Sequence, residues 1–177
     1  MSHKLLAICF DFGDTLIDEA TEIKDEHGVT LEAVLIPGAA EVLNELKHRG
    51  YPLCLVADGY WDSYTNVLGH YGLWDLFDAR AVSEKVGVDK PDPRMFEHAM
   101  EQLGIPQEDY GRVIMVGNHL ERDIKGANQL GMISIWLDWA PRRSKVPADA
   151  WEKPDYTIKI PIELIGVVEE LERLGLS

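Results

Sequence analysis

The stretch AICFDFGDTL, residues 7–16, is apolar up to Phe10, stops at Asp11, passes through Gly13 and meets a second carboxylate at Asp14. A short apolar run closed by a polar turn reads as a strand buried on both faces. Such a strand delivers Asp11 into a turn whose glycine lets the backbone come close to a ligand. A carboxylate so placed can serve as nucleophile, metal ligand or base, or it can merely cap the turn. The residues by themselves leave both readings open.

Outward from this stretch the pattern repeats. LLAICF (5–10), YPLCLVA (51–57), RVIMVG (112–117) and ISIWLD (133–138) read as buried strands, with RAV (80–82) and YTIKI (156–160) as shorter ones. Amphipathic helical patterns lie at 38–50, 92–104, 121–131 and 161–175. The first sets Val42, Leu43 and Leu46 on one face and stops at Gly50. The second has Asp92 to cap it, Pro93 at its first position and Gly104 past its end. Apolar strands, each followed by a helix, predict an α/β fold: a Rossmann-like, doubly wound parallel sheet with helices on both faces. Sites in such sheets form at the carboxyl ends of the strands. Asp11, Asp58 and Asn118 each fall where a predicted strand ends, so all three converge on one edge.

A chain of 177 residues suits one well-buried domain, and 1–177 reads as a single unit. Its formal charge of −14 repels phosphate backbones and anionic lipid, so nucleic acid and membranes are poor partners. An anionic substrate would need positive charge gathered at its site. No stretch approaches membrane-spanning length, and the first apolar run is too short for a secretion signal, which reads as cytoplasmic. Cys9 and Cys54 lie inside apolar runs and read as buried thiols. Residues 18–36 form a short polar insertion, and 138–155 a long, Pro-punctuated loop that is comparatively basic at its start.

Two further stretches carry polar residues to the same edge. In VDKPDPRMF (88–96), Lys90 precedes a proline and is held extended just before a helix. A fixed ammonium beside a reactive carboxylate would neutralise a transferring phosphoryl group, although a solvated side chain is the commoner fate of a lysine. In VIMVGNHLERDIKGANQLGM (113–132), Asn118 ends a strand and Asp123 opens the next helix. Hard oxygen ligands of this kind suit Mg²⁺; the plainer reading of Asp123 is a carboxylate favoured by the helix dipole.

Taken in order, DFGDT, VADG, DKPDP and GNHLERD resemble the four signature stretches of the haloacid dehalogenase-like superfamily. PGAAEVLNELKHRG and IKGANQLGM are similar to its connecting helices. The resemblance covers nearly the whole chain. It implies a hydrolase, a Mg²⁺-dependent phosphatase acting on a phosphorylated small molecule or an exposed phosphoryl group. By resemblance, Asp11 is the nucleophile that becomes an aspartyl phosphate, and Lys90 neutralises charge. Asp11, the Gly13 carbonyl, Asn118 and Asp123 are the implied Mg²⁺ ligands, and Ala57 and Asp58 lie where phosphoryl oxygens are held.

The chain departs from that pattern at three positions. The family's second Asp, a general acid and base, is Gly13 here, and loss of such a group costs about 10²–10⁴-fold. Asp14 stands one residue further along the turn, so its carboxylate is expected to point elsewhere. His119 is a candidate replacement acid, against the commoner reading of a surface histidine. Ala57 lacks the usual hydroxyl, which leaves the backbone N–H groups around Asp58 to hold phosphate. Asn118 keeps a ligand oxygen without its charge, so weaker metal binding is expected.

The 18–36 interval is too short for a full helical cap. Capless members act on large or exposed substrates or close the site by oligomerising, which makes a homo-oligomer a candidate assembly. Arg142 and Arg143 either reach an anion at the site or form a solvated face. Trp61, Trp74, Trp139 and Trp151 either mark an interface or pack under loops. The expected function is a weak or specialised capless phosphatase for a phosphomonoester or acyl phosphate. Its rivals are a catalytically quiet binding or regulatory protein and a metal-independent dehalogenase.

Overall fold

The computed structural model describes residues 2–175. Strand β1 (Ala7–Phe10) is buried at every position, and its side chains alternate between two cores, Ile8 and Phe10 in one and Ala7 and Cys9 in the other. An antiparallel pair follows, β2 (Ile17–Lys24) with β3 (Thr30–Leu35), and then α1 (Ala39–His48). Next come β4 (Leu53–Ala57), α2 (Trp61–His70), β5 (Ala79–Val82), the short α3 (Ser83–Val86) and α4 (Pro93–Leu103). β6 (Val113–Gly117) leads through a π-helical turn at Leu120–Ile124 into α5 (Lys125–Gln129). β7 (Ile133–Leu137), β8 (Tyr156–Ile158) and α6 (Leu164–Leu174) complete the order.

Six strands pair in parallel in the order β5-β4-β1-β6-β7-β8, the doubly wound Rossmann-like sheet that alternating apolar strands and helices predict. β1 lies inside it, with Cys9 beside Cys54 on one neighbour and Met115 on the other. Leu43 and Leu46 of α1, Leu68 of α2 and Val168 of α6 belong to the core that holds Ile8 and Phe10. Phe96 and Met100 of α4 and Ala127 of α5 belong to the core that holds Cys9. Each large apolar side chain fully withdrawn from water contributes about 1.5–3 kcal/mol, so the two cores fix the sheet and hence its edges. Both cysteines are buried free thiols.

α4 begins and ends where its sequence directs. The Asp92 carboxylate accepts from the Arg94 N–H at 3.0 Å, Pro93 is the first helical residue, and Gly104 follows the last. The 121–131 pattern behaves differently. Its first turn is wound wide, with the N–H groups of Asp123 and Ile124 both meeting the His119 carbonyl, at 2.9 and 3.2 Å. That turn carries the Asp123 carboxylate back under β6, where its Oδ2 accepts from the His119 N–H at 2.9 Å. Gly117 makes room for it, since a Cβ there would collide with the Asp123 carboxyl group.

The polar 18–36 insertion carries a β-hairpin. Two strands alone are marginal in water, and α2 supplies the anchorage. Thr30 N–H donates to Ser63 Oγ at 2.9 Å, Asn66 Nδ2 to the Thr30 carbonyl at 3.1 Å, and Tyr71 Oη to the Ala33 carbonyl at 2.9 Å. Of the tryptophans, Trp61 and Trp74 meet edge to face at 5.2 Å and, like Trp139, pack against the core, whereas Trp151 is half exposed.

Candidate active site

Asp11 N–H donates to the Val116 carbonyl at 2.9 Å, which extends the β1–β6 ladder by one residue and fixes the Asp11 carboxylate at the sheet edge. Lys90 rises beneath it from the segment before α4, only 3% exposed. Its Nζ donates to Asp11 Oδ1 at 2.8 Å and to the Val56 carbonyl at 2.7 Å, and lies 2.7 Å from Asp123 Oδ1. Its backbone N–H donates to Asp58 Oδ1 at 2.9 Å. Lys90 is therefore the centre of a buried ion-pair group and not a solvated side chain. Burial works against its charge, but Asp11, Asp123 and Asp58 outweigh it and hold its pKa well above the ordinary lysine value. Burial and the Asp11 charge push the Asp123 carboxyl up to about 7, against the pull of Lys90. Asp58 is raised as well, by burial foremost, and Arg122 lies 3.5 Å from its Oδ2.

Asn118, buried at the end of β6, is oriented by its neighbours. Its amide lies between Asp11 Oδ2 and the Gly13 carbonyl on one side and Arg143 Nε on the other. With the nitrogen assigned to the first side, it donates to Asp11 at 2.9 Å and to Gly13 at 3.2 Å, and the oxygen accepts from Arg143 at 2.9 Å. Arg143 also lies 3.1 Å from Asp14 Oδ2 and donates to Glu19, and Arg142 donates to Asp14. Asp14 is wholly buried at a φ of 50°, a left-handed backbone that Asp adopts more readily than most residues. Its carboxylate turns toward the arginines and the Glu19 N–H (3.1 Å), as its place in the turn predicts. Arg142, still partly exposed, and Arg143 thus pair with a buried carboxylate; they tie the 138–155 loop to the base of the site.

Above Asp11 opens a cavity of about 280 Å³, lined in part by Gly13, Glu19, Glu22, Asp58, His119 and Arg122. Ala57 ends β4 but its side chain packs in the core and is not among the lining residues. His119 reaches the cavity, with its pKa lowered by burial and then by Arg143. Glu19, Glu22 and Arg122 carry no signal in the sequence that sets them apart from surface charges. β2 is irregular between Asp18 and Ile23, and this break brings Glu19 and Glu22 to one cavity although strict alternation would send them to opposite faces. The Glu19 carboxyl lies directly against Gly13. Its pKa is raised by burial, against Arg143, with Asp14, Asp11 and Glu22 adding to the rise. A carboxylate held at a strand end by a buried ammonium can attack an electrophile in such a cavity and offset the charge that develops.

A family model for haloacid dehalogenase-like hydrolases matches residues 21–131. The chain belongs to the haloacid dehalogenase-like hydrolase family. It is 31% identical over 137 residues to a glyceraldehyde 3-phosphate phosphatase of Methanopyrus kandleri, covering 77% of this chain and 58% of the relative. It is 37% identical over 103 residues to a pyrimidine 5′-nucleotidase of Escherichia coli, covering 58% of this chain and 44% of the relative. The chain spans about half the length of these curated relatives. Among solved structures, a phosphatase of the same superfamily from Thermococcus onnurineus superposes with a TM-score of 0.75 at 20% identity, over 93% of this chain and 98% of that one. That likeness shows the haloacid dehalogenase-like fold.

Proposed function

We propose that this hydrolase cleaves a phosphomonoester or an acyl phosphate of a small molecule through Asp11. The observation that carries the proposal is the Asp11 carboxylate on the floor of the cavity, held by Lys90 on one oxygen, with the Asn118 amide beside the other. The names of the two relatives support it, since both describe removal of phosphate from small molecules. In this reading the carboxylate attacks phosphorus, the bond to the leaving oxygen breaks, and an aspartyl phosphate forms that water then hydrolyses. Lys90 offsets the charge of the transferring group. The main chain at Ala57 and Asp58 receives the phosphoryl oxygens, and Arg122 adds positive charge at the rim in a chain of net charge −14.

Mg²⁺ is the proposed cofactor. Among the described residues no three His, Cys, Asp or Glu side chains gather to hold a metal, and Asn118 offers an amide oxygen in place of a carboxylate. Asp123 Oδ1 is nevertheless buried without a hydrogen bond, the Lys90 ammonium beside it being poorly aligned. Asp11, the Gly13 carbonyl, the Asn118 amide oxygen once turned inward, and Asp123 make an all-oxygen set that fits a hard divalent ion. Such an ion would neutralise charge between Asp11 and the phosphoryl oxygens.

Hydrolysis of p-nitrophenyl phosphate with and without Mg²⁺, wild type beside Asp11→Asn, tests the reading. Mg²⁺-dependent turnover that vanishes in the variant is expected. Absence of turnover in the wild type would leave a binding protein that keeps the fold.

A further inference from the structure

We propose that Glu19 is the proton donor and acceptor of this site, occupying the volume that the missing side chain of Gly13 leaves open. The proposal rests on the phosphatase reading above and assigns it a second catalytic residue.

The geometry is one of mutual exclusion. A Cβ added to Gly13 would lie 2.7 Å from both Cγ and Cδ of Glu19 and closer still to Oε1. The carboxyl group of a residue on β2 thus fills the space beside Asp11 that any side chain at position 13 would enter. It is held there from two sides. The Glu19 N–H donates to Asp14 Oδ1 at 3.1 Å, and Arg143 binds Oε2. Oε1 is left facing Gly13 and accepts no hydrogen bond among the described residues. One oxygen is anchored and the other is available to a ligand.

The other carboxylates near the cavity are engaged elsewhere. Asp58 accepts from the Lys90 N–H, with Arg122 nearby. Glu22 accepts from Thr30 Oγ1 at 2.9 Å and pairs with Lys24 at 3.0 Å. Asp123 accepts from the His119 N–H and lies 2.7 Å from Lys90, and Asp14, outside the cavity lining, turns to the two arginines. His119 also lines the cavity, its Nδ1 3.9 Å from Glu121 and so not held by a hydrogen bond to it, and it is the rival donor that the Glu19 variants test.

The chemistry balances without a further reactant. As Asp11 attacks phosphorus and the P–O bond to the leaving group breaks, the Glu19 carboxyl gives its proton to the departing alkoxide, releasing an alcohol. Water then attacks the aspartyl phosphate, Glu19 takes a proton from that water, and the P–O bond to Asp11 breaks to give inorganic phosphate. Only a leaving group that needs a proton depends on the first of these transfers.

Two probes separate the roles: β-glycerophosphate, whose alkoxide must be protonated, and acetyl phosphate, whose acetate need not be. Glu19→Gln is expected to lower kcat/KM for β-glycerophosphate by about 10²–10⁴-fold and for acetyl phosphate by less than about tenfold. Gly13→Asp combined with Glu19→Ala replaces one carboxyl by the other in the same space, and is expected to recover β-glycerophosphate turnover to within about tenfold of wild type. Equal losses on both substrates in Glu19→Gln, or a double variant no better than Glu19→Ala alone, would overturn the assignment. Asp11→Asn keeps the two readings apart. Acetyl phosphate turnover that survives it sinks the Asp11 route itself. Turnover that needs Asp11 but is indifferent to Glu19 on both probes sinks only the present proposal.

Discussion

Arg143 Nε lies 2.9 Å from the side-chain amide of Asn118, and a hydrogen bond to the amide oxygen there is the assignment that turns the nitrogen toward Asp11. With the oxygen committed to Arg143, the amide nitrogen faces Asp11 and Gly13, where an incoming cation would want oxygen. Arg143→Gln removes both that restraint and a positive charge. Mg²⁺ is expected to bind several-fold more tightly to the variant in calorimetric titration; equal or weaker binding would contradict this account of Asn118.

Lys90 is the sole cation among the described residues within ion-pair reach of both Asp11 and Asp123. Removing one partner from a buried charge group leaves the others uncompensated, at a cost of about 3–5 kcal/mol. Lys90→Met is therefore expected to be among the most destabilising single substitutions in the protein, read by urea denaturation, and to lose phosphatase turnover as well. A variant as stable as wild type would show that the lysine contributes charge balance for chemistry alone.

Asp14 ties the 138–155 loop down through Arg142 and Arg143. Asp14→Ala frees two arginines on a segment with little regular structure. Trypsin is expected to cut after Arg142 or Arg143 at least tenfold faster in the variant under native conditions. Unchanged cleavage would mean that the loop is held by other contacts.

Glu172 joins the end of α6 to the strand edge far from the cavity. Its carboxylate accepts from the N–H groups of Lys4 (2.9 Å) and Leu5 (3.1 Å) and from Tyr51 Oη (3.0 Å). Burial alone would raise its pKa, but these donors outweigh burial and hold it below the ordinary 4.5. A depressed carboxylate stabilises above its unfolded pKa, and that stability is lost as pH falls through the folded value. Glu172→Gln should cost about 1–2 kcal/mol at pH 7. The gap between variant and wild type should close as the pH drops below 4.5, followed by thermal melts across that range. A gap that stays constant with pH would exclude the charged form as its source.

The sheet and the edge bearing Asp11, Asp58, Lys90, Asn118 and Asp123 could be read from sequence because strand ends in a parallel sheet share one rim. The apolar runs fix where each strand stops, so a polar residue directly after one is placed almost without further information. Glu19 was not legible. It sits in IDEATEIK, where the polar positions look like an exposed strand, and only the irregular pairing of β2 with β3 turns it inward. The role of the arginine pair stayed open for a related reason. Nothing local to residues 142 and 143 says that Asp14, more than a hundred positions earlier, is buried and needs a cation. Long-range pairing of this kind is written in no periodicity.

Gly13 and Glu19 contend for a single volume, which makes the two positions dependent in descent as well as in space. A side chain at position 13 would meet Cγ, Cδ and Oε1 of Glu19, so a lineage that enlarges position 13 must swing the Glu19 carboxyl out of that volume, and the carboxyl can return only when the side chain shrinks again. Intermediates on either path carry both groups in conflict or neither in place. A larger residue at position 13 is therefore expected to go with a displaced Glu19 carboxyl or with a different residue at position 19.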